Sequence, residues 1–113
     1  MVVDADRVFQ ALADATRRDI LARVLHEGQS VSALARLYPM SFAAVQKHVA
    51  VLASAGLVTK ERRGREQVVH GDVAALRRAG GVLTELEGLW RHRVRGIDDI
   101  IRGDSDASAG RAP

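Results

Sequence analysis

SVSALARLYPMSFAAVQKHVAVLASAGLV, residues Ser30–Val58, is the stretch whose reading decides the fold. Ser32 is positioned to cap a short helix over Ala33–Leu37, its hydroxyl meeting one of the orphan amides at that end. Tyr38-Pro39-Met40 interrupts the helix, because a proline disfavours the helical conformation of the residue before it. Ser41 offers a second cap, and Phe42–Ala55 reads as one longer helix. Gly56 stands where a helix end needs a left-handed residue. Val45, Val49 and Leu52, spaced four and three, share a buried face, with Ala43, Gln46, Lys47 and Ala50 on the opposite one. A short helix, a tight turn and a longer helix with a polar outer face make a helix-turn-helix pattern.

The next residues extend it. Leu57–Arg62 and Glu66–His70 are short strand-like runs joined by Arg63-Gly64-Arg65, with a glycine for the positive φ of a hairpin turn. Three arginines, Arg62, Arg63 and Arg65, crowd the tip, and a hairpin directly after a helix-turn-helix is the winged-helix order. Ser30–His70 carries six basic side chains and two acidic ones, a balance of +4 against +3 for the whole chain. That concentration, with a pI near 10.2, suits a polyanionic partner.

Upstream, Asp4–Leu12 reads as a helix with Val8, Ala11 and Leu12 inward. Asp14 can cap a second helix, Ala15–His26, whose buried stripe is Ile20, Leu21, Val24 and Leu25. Arg17 and Arg18 fall in its first turn, against the helix dipole, and point to a phosphate contact or a local carboxylate partner. Val31 is expected to pair as a small strand against the wing. Downstream, Asp72 can cap a long segment, Val73–Ile101, striped by Leu76, Leu83, Leu86, Trp90, Val94, Ile97 and Ile101. A helix of that length has more apolar stripe than so small a domain can cover, and a second copy of the chain is the simplest cover. Gly80-Gly81 inside it suggests a bend or a close helix approach. Residues 1–102 are therefore expected to form one DNA-binding and dimerisation domain, and 103–113, polar and small, a disordered tail.

Several classes drop out. A chain of 113 residues with no cysteine has no disulfide and no thiolate metal site. No apolar run approaches the ~20 residues of a membrane span, and the start lacks the pattern of a signal peptide. No nucleophile–base pair, facing carboxylate pair or phosphate loop suggests an enzyme. His92 with Glu85, Glu87, Asp98 and Asp99 offers metal ligands on the last helix, but no second histidine lies within a turn or two. No metal or other cofactor is expected.

ADATRRDIL, the long central stretch and ERRGREQVV together resemble the arsenic-repressor (ArsR) family of bacterial winged-helix regulators, over about residues 4–102. The PMS turn, the KH pair, the AGLV exit and the GRE of the wing are the most specific pieces. Trp90 with Arg93-Val94 resembles the subgroup lacking metal ligands in the last helix. The resemblance implies a mainly α fold with a small β-hairpin wing, assembled as a homodimer. It also implies a cytoplasmic, nucleoid-associated repressor that binds a palindromic operator in double-stranded DNA, often its own promoter, and leaves the inducer open. Position by position, it implies DNA contacts from Ser41, Ala43, Gln46, Lys47 and His48 of the recognition helix and from Arg62, Arg63 and Arg65 of the wing. The dimer interface is expected at Val8, Leu12, Leu83, Leu86, Trp90, Val94 and Ile97. Gln46 can pair bidentately with adenine, and Lys47 can reach guanine or a phosphate. Phe42 can touch a thymine methyl or pack under Ser41, and packing is the expectation. Ala50 and Ser54 stand where relatives often carry charge. Two other readings are a winged helix used only for protein contacts, which calls for an apolar or acidic recognition face, and a metal-responsive repressor with a site between subunits.

Overall fold

A computed structural model describes the backbone of residues 4–105, and their side chains except at 98, 99 and 102–105. Five helices and three strands follow in the order α1 (Ala5–Leu12), α2 (Ala15–His26), β1 (Gln29–Ser30), α3 (Val31–Ala35), α4 (Phe42–Ser54), β2 (Val58–Arg63), β3 (Glu66–Gly71) and α5 (Val73–Ser105). The chain divides into two units, Met1–Ala79 and Gly80–Pro113.

In the first unit the helix starts are capped as short polar side chains dictate. Asp4 accepts from the Arg7 amide, Asp14 from Arg17, Ser41 from Ala44 and Asp72 from Ala75. At α3 the cap is Ser30, not Ser32: its Oγ accepts from the Ala33 amide at 3.0 Å, and the helix begins at Val31. The reason is tertiary. Gln29 and Ser30, not Val31, pair with Val69 and Val68 of the wing, and this extended backbone puts Ser30 in the capping conformation two residues early. Val31 then turns inward as a core residue.

α4 ends in a two-bond glycine cap. The Gly56 amide reaches the Ala53 carbonyl and the Leu57 amide reaches Leu52, both at 3.0 Å, with Gly56 at φ 77°. The chain then enters a three-stranded antiparallel sheet, order β1-β3-β2. Arg63 pairs with Glu66, so the wing turn has two residues, Gly64 and Arg65, rather than three. Gly64 takes φ 61°, which a primed hairpin turn requires. The core gathers Val8, Ile20, Leu34, Val45, Val49, Leu52, Leu57 and Val69, with Ala75 and Ala79 from the start of α5. Gly71 lies against it so closely that a Cβ there would meet the Leu25 Cα at 2.9 Å.

The second unit is helical through Ser105, so residues 103–105 continue the helix rather than open a tail; the remainder of that expected tail, 106–113, lies outside the described residues. α5 passes through Gly80-Gly81 without a break. A Cβ at either glycine would meet nothing within 4 Å, so among the described residues no close approach accounts for them.

Candidate nucleic-acid interface

The outer face of α4 and the wing enclose a polar cleft lined by Val31, Ser32, Phe42, Gln46, Arg62, Arg65, Glu66 and Gln67, two cations against one carboxylate. Strand register decides which wing residues enter it. Side chains alternate along a strand and directly paired residues share a face. Val58, Lys60 and Arg62, with Val69 and Gln67 opposite, therefore form the inner face, where Val58 and Val69 are buried. Thr59, Glu61 and Arg63, with His70 opposite, form the outer one, whereas Glu66, at the end of the ladder beside the turn, borders the cleft. On the outer face Arg63 donates from Nε to Glu61 at 3.1 Å, and His70 lies 3.3 Å from the same carboxylate. The three wing arginines that sequence grouped together are thus split. Arg62 and Arg65 enter the cleft, whereas Arg63 is turned away and held by a carboxylate.

On α4, Ala43, Gln46, Lys47 and Ala50 are all exposed. Ser41 is exposed too, though its oxygen already serves the helix as cap. Phe42 does not pack beneath it; the residue is 46% exposed and forms a wall of the cleft. At about 100° per residue, Phe42 lies ~40° around the helix from Gln46 but ~60° from buried Val45, a signal in the sequence that favoured the outer face. Ser32 and Gln67 also enter the cleft and carried no such signal; only the sheet brings them there.

His48 is half-buried and faces the body of the domain, 3.4 Å from the Arg17 guanidinium. Arg17 and Arg18 find neither of their expected partners first. Arg17 Nε and NH2 donate to the carbonyls of Ala11 and Gln10 at 2.7 and 3.0 Å, and Arg18 donates to that of Leu12 at 2.7 Å. These are the last carbonyls of α1, where cations are favourable. Two unfavourable charges at one helix start are in fact the C-terminal caps of the preceding helix. Asp14 is only a distant partner, at 4.0 Å; the Arg17 amide, and after it the Arg17 guanidinium, hold its carboxyl below the usual 3.8.

A second cluster braces the turn between α3 and α4. Tyr38 donates its hydroxyl to Asp19 at 2.6 Å, Arg23 donates to the same carboxylate at 3.0 Å, and the guanidinium lies over the phenol ring. Burial, reinforced by the bond to Asp19, pushes the Tyr38 hydroxyl up to about 12. The turn that presents α4 is thus tied to α2.

Val8, expected at a dimer interface, is fully buried in the chain's own core at 0% exposure, and Leu12 packs half-buried against that core. α1 spends these side chains on its own fold, because they face α2 and α4. Leu83, Leu86, Trp90, Val94 and Ile97 are all exposed. On α5, Glu87 is engaged by Arg91 at 3.0 Å. The side chains of Asp98 and Asp99 lie outside the described residues, among which no group of three or more His, Asp or Glu could hold a metal ion. No helix among them is long and apolar enough to cross a membrane.

Known proteins share this arrangement. A family model described as a helix-turn-helix domain matches residues 12–61. The chain is 38% identical over 101 residues to the HTH-type transcriptional regulator Rv2034 of Mycobacterium tuberculosis, covering 89% of this chain and 92% of that one. An ArsR-like transcriptional regulator from Rhodococcus sp. RHA1 superposes with a TM-score of 0.77 at 34% identity, over 85% of this chain and 91% of the other. A winged helix-turn-helix DNA-binding domain from Mycobacterium bovis, described as homodimeric, superposes with a TM-score of 0.61 at 26% identity, over 73% and 77%. These relatives are transcriptional regulators and not enzymes. With its helix-turn-helix, its hairpin wing and a relative matched over nearly its whole length, the chain belongs to the ArsR family of winged helix-turn-helix transcriptional regulators.

Proposed function

We propose that this protein is a homodimeric repressor that binds a palindromic operator in double-stranded DNA, its own promoter among the targets, at the nucleoid in the cytoplasm. The observation that carries the reading is the cleft itself. Gln46, an exposed helix residue able to read a base edge, faces the same space as Arg62 and Arg65, which suit the flanking phosphates. Ser41, Ala43 and Lys47 complete the helix face offered to the major groove. The polar recognition face and basic wing do not fit a module made only for protein contacts. The absence of cysteine, and of a second histidine within two turns of His92 in the sequence, favours a signal other than a metal.

The dimer is supported by Leu83, Leu86, Trp90, Val94 and Ile97, whose spacing of three, four, four and three puts them on one helix face. Each gains roughly 1.5–3 kcal/mol on burial, and a second copy of the same stripe supplies the matching surface. The homodimeric M. bovis relative supports the same assembly. Two-fold symmetry would present two α4 helices about one DNA turn, ~34 Å, apart.

The test is to pass fragments of the source genome over the purified protein and sequence those retained. Retention of fragments sharing an inverted repeat, one upstream of the protein's own gene, is the expected result. Retention without sequence preference, or none, refutes the proposal. On a retained fragment, Gln46→Ala should relax preference at one base pair per half-site, by roughly 1–3 kcal/mol.

A further inference from the structure

We infer that Arg17 is a positioning residue for the recognition helix, acting through His48. The inference rests on the proposal that α4 reads DNA. The Arg17 side chain is 18% exposed and touches three helices. It starts on α2, forks over the Ala11 and Gln10 carbonyls that end α1, and turns NH1 to His48 Nδ1 on α4, 3.4 Å away. His48 directly follows Gln46 and Lys47. A guanidinium has only donors, so the contact requires a lone pair on Nδ1, with the ring proton on Nε2. Asp14, capping α2, is the other charged group facing this junction. α4 is otherwise held to the body by the apolar strip Val45, Val49 and Leu52 and, at its C-terminal end, by Ser54, whose hydroxyl accepts from exposed Arg7 at 3.3 Å, so His48 is where a polar bond close to Gln46 can resist rotation about the helix axis. A directional bond at His48 opposes such rotation, and rotation is the motion that moves Gln46 out of register with a base edge.

Arg17 itself does not reach DNA in this assignment, and that separates it from a phosphate contact. Arg17→Lys keeps the charge, but one ammonium cannot fork to two carbonyls and also reach the ring. His48→Ala removes the other end, and His48→Gln returns an acceptor oxygen. Each variant is titrated against a genomic fragment retained by the wild type and against poly(dI-dC), with helical melting followed by circular dichroism. The ring nitrogens of His48 are read by long-range proton–nitrogen NMR. The expected result is an unprotonated Nδ1 in the wild type, shifted in Arg17→Lys. Arg17→Lys and His48→Ala should each lose about tenfold on the specific fragment and nothing on poly(dI-dC). The double variant should be no worse than the weaker single one, and His48→Gln should recover most of the loss.

Equal losses on both DNAs would make Arg17 a phosphate contact and overturn the inference. Losses that match the unfolded fraction, strictly additive losses, or wild-type specific affinity in His48→Ala overturn it as well. If the wild type retains no fragment, the DNA reading falls first and takes the inference with it. If the wild type binds and the variants match it, the inference alone falls.

Discussion

The split of the wing arginines leads to a sharp comparison between Arg65→Ala and Arg63→Ala. Arg65 lines the cleft beside Gln46 and Arg62, whereas Arg63 lies on the opposite face of the sheet, 3.1 Å from Glu61. Binding to duplex DNA weakens with salt as the power of ~0.9 per phosphate neutralised, so a fourfold rise in salt costs ~3.5-fold in affinity per contact. A dimer presents two wings. Arg65→Ala should therefore remove two contacts and about 12-fold of the loss that the wild type shows between about 50 and 200 mM salt, lowering the log–log slope by ~1.8. Arg63→Ala should leave the slope where it was, because the pair it breaks is exposed and such pairs contribute at most about 1 kcal/mol. Fluorescence anisotropy on a retained fragment, at four or five salt concentrations, measures both slopes on one scale. A slope that falls as far in Arg63→Ala as in Arg65→Ala, or in neither, refutes the assignment of faces from the β2–β3 register.

Tyr38 is the chain's one tyrosine, so its phenolate absorbance can be titrated without interference. The midpoint should lie near 12 in the folded protein, against about 10 unfolded. Because the raised value favours the protonated form, its contribution to stability is present below pH ~10 and is lost as pH rises from there through 12, which urea unfolding along that range would show. Gly71→Ala drives a methyl against Leu25, including its backbone at 2.9 Å, and should cost about 1–3 kcal/mol in chemical denaturation; an unchanged midpoint would mean that α2 and β3 give way freely. Leu86→Asp places a charge at a residue 56% exposed in the single chain. It should yield helical monomers by sedimentation that fail to bind the retained fragment, and a variant that stays dimeric moves the interface elsewhere. Zinc, cadmium or nickel at low micromolar levels should leave binding unchanged, whereas release that is abolished in His92→Ala would restore the metal-responsive reading.

Local chemistry determined most of what was legible in advance. Caps depend on a residue and the three that follow it, so Asp14, Ser41 and Asp72 could be read directly. Gly56 and Gly64 mark the only two glycines with positive φ among the described residues, because helix ends and hairpin turns impose that geometry wherever they occur. The buried stripe Val45, Val49 and Leu52 follows from helical period alone. What tertiary structure decided were the matters of partner and face. Ser30 rather than Ser32 caps α3 because a strand some 38 residues later pairs with it. Arg17 and Arg18 have no local reason to sit at a helix start; their reason is the end of another helix brought alongside. Val8 went to the core and Arg63 to the far side of the wing because a period tells which residues share a face, but not what that face will meet. For a periodic element the sequence determines the stripe, and only packing and strand register determine its partner.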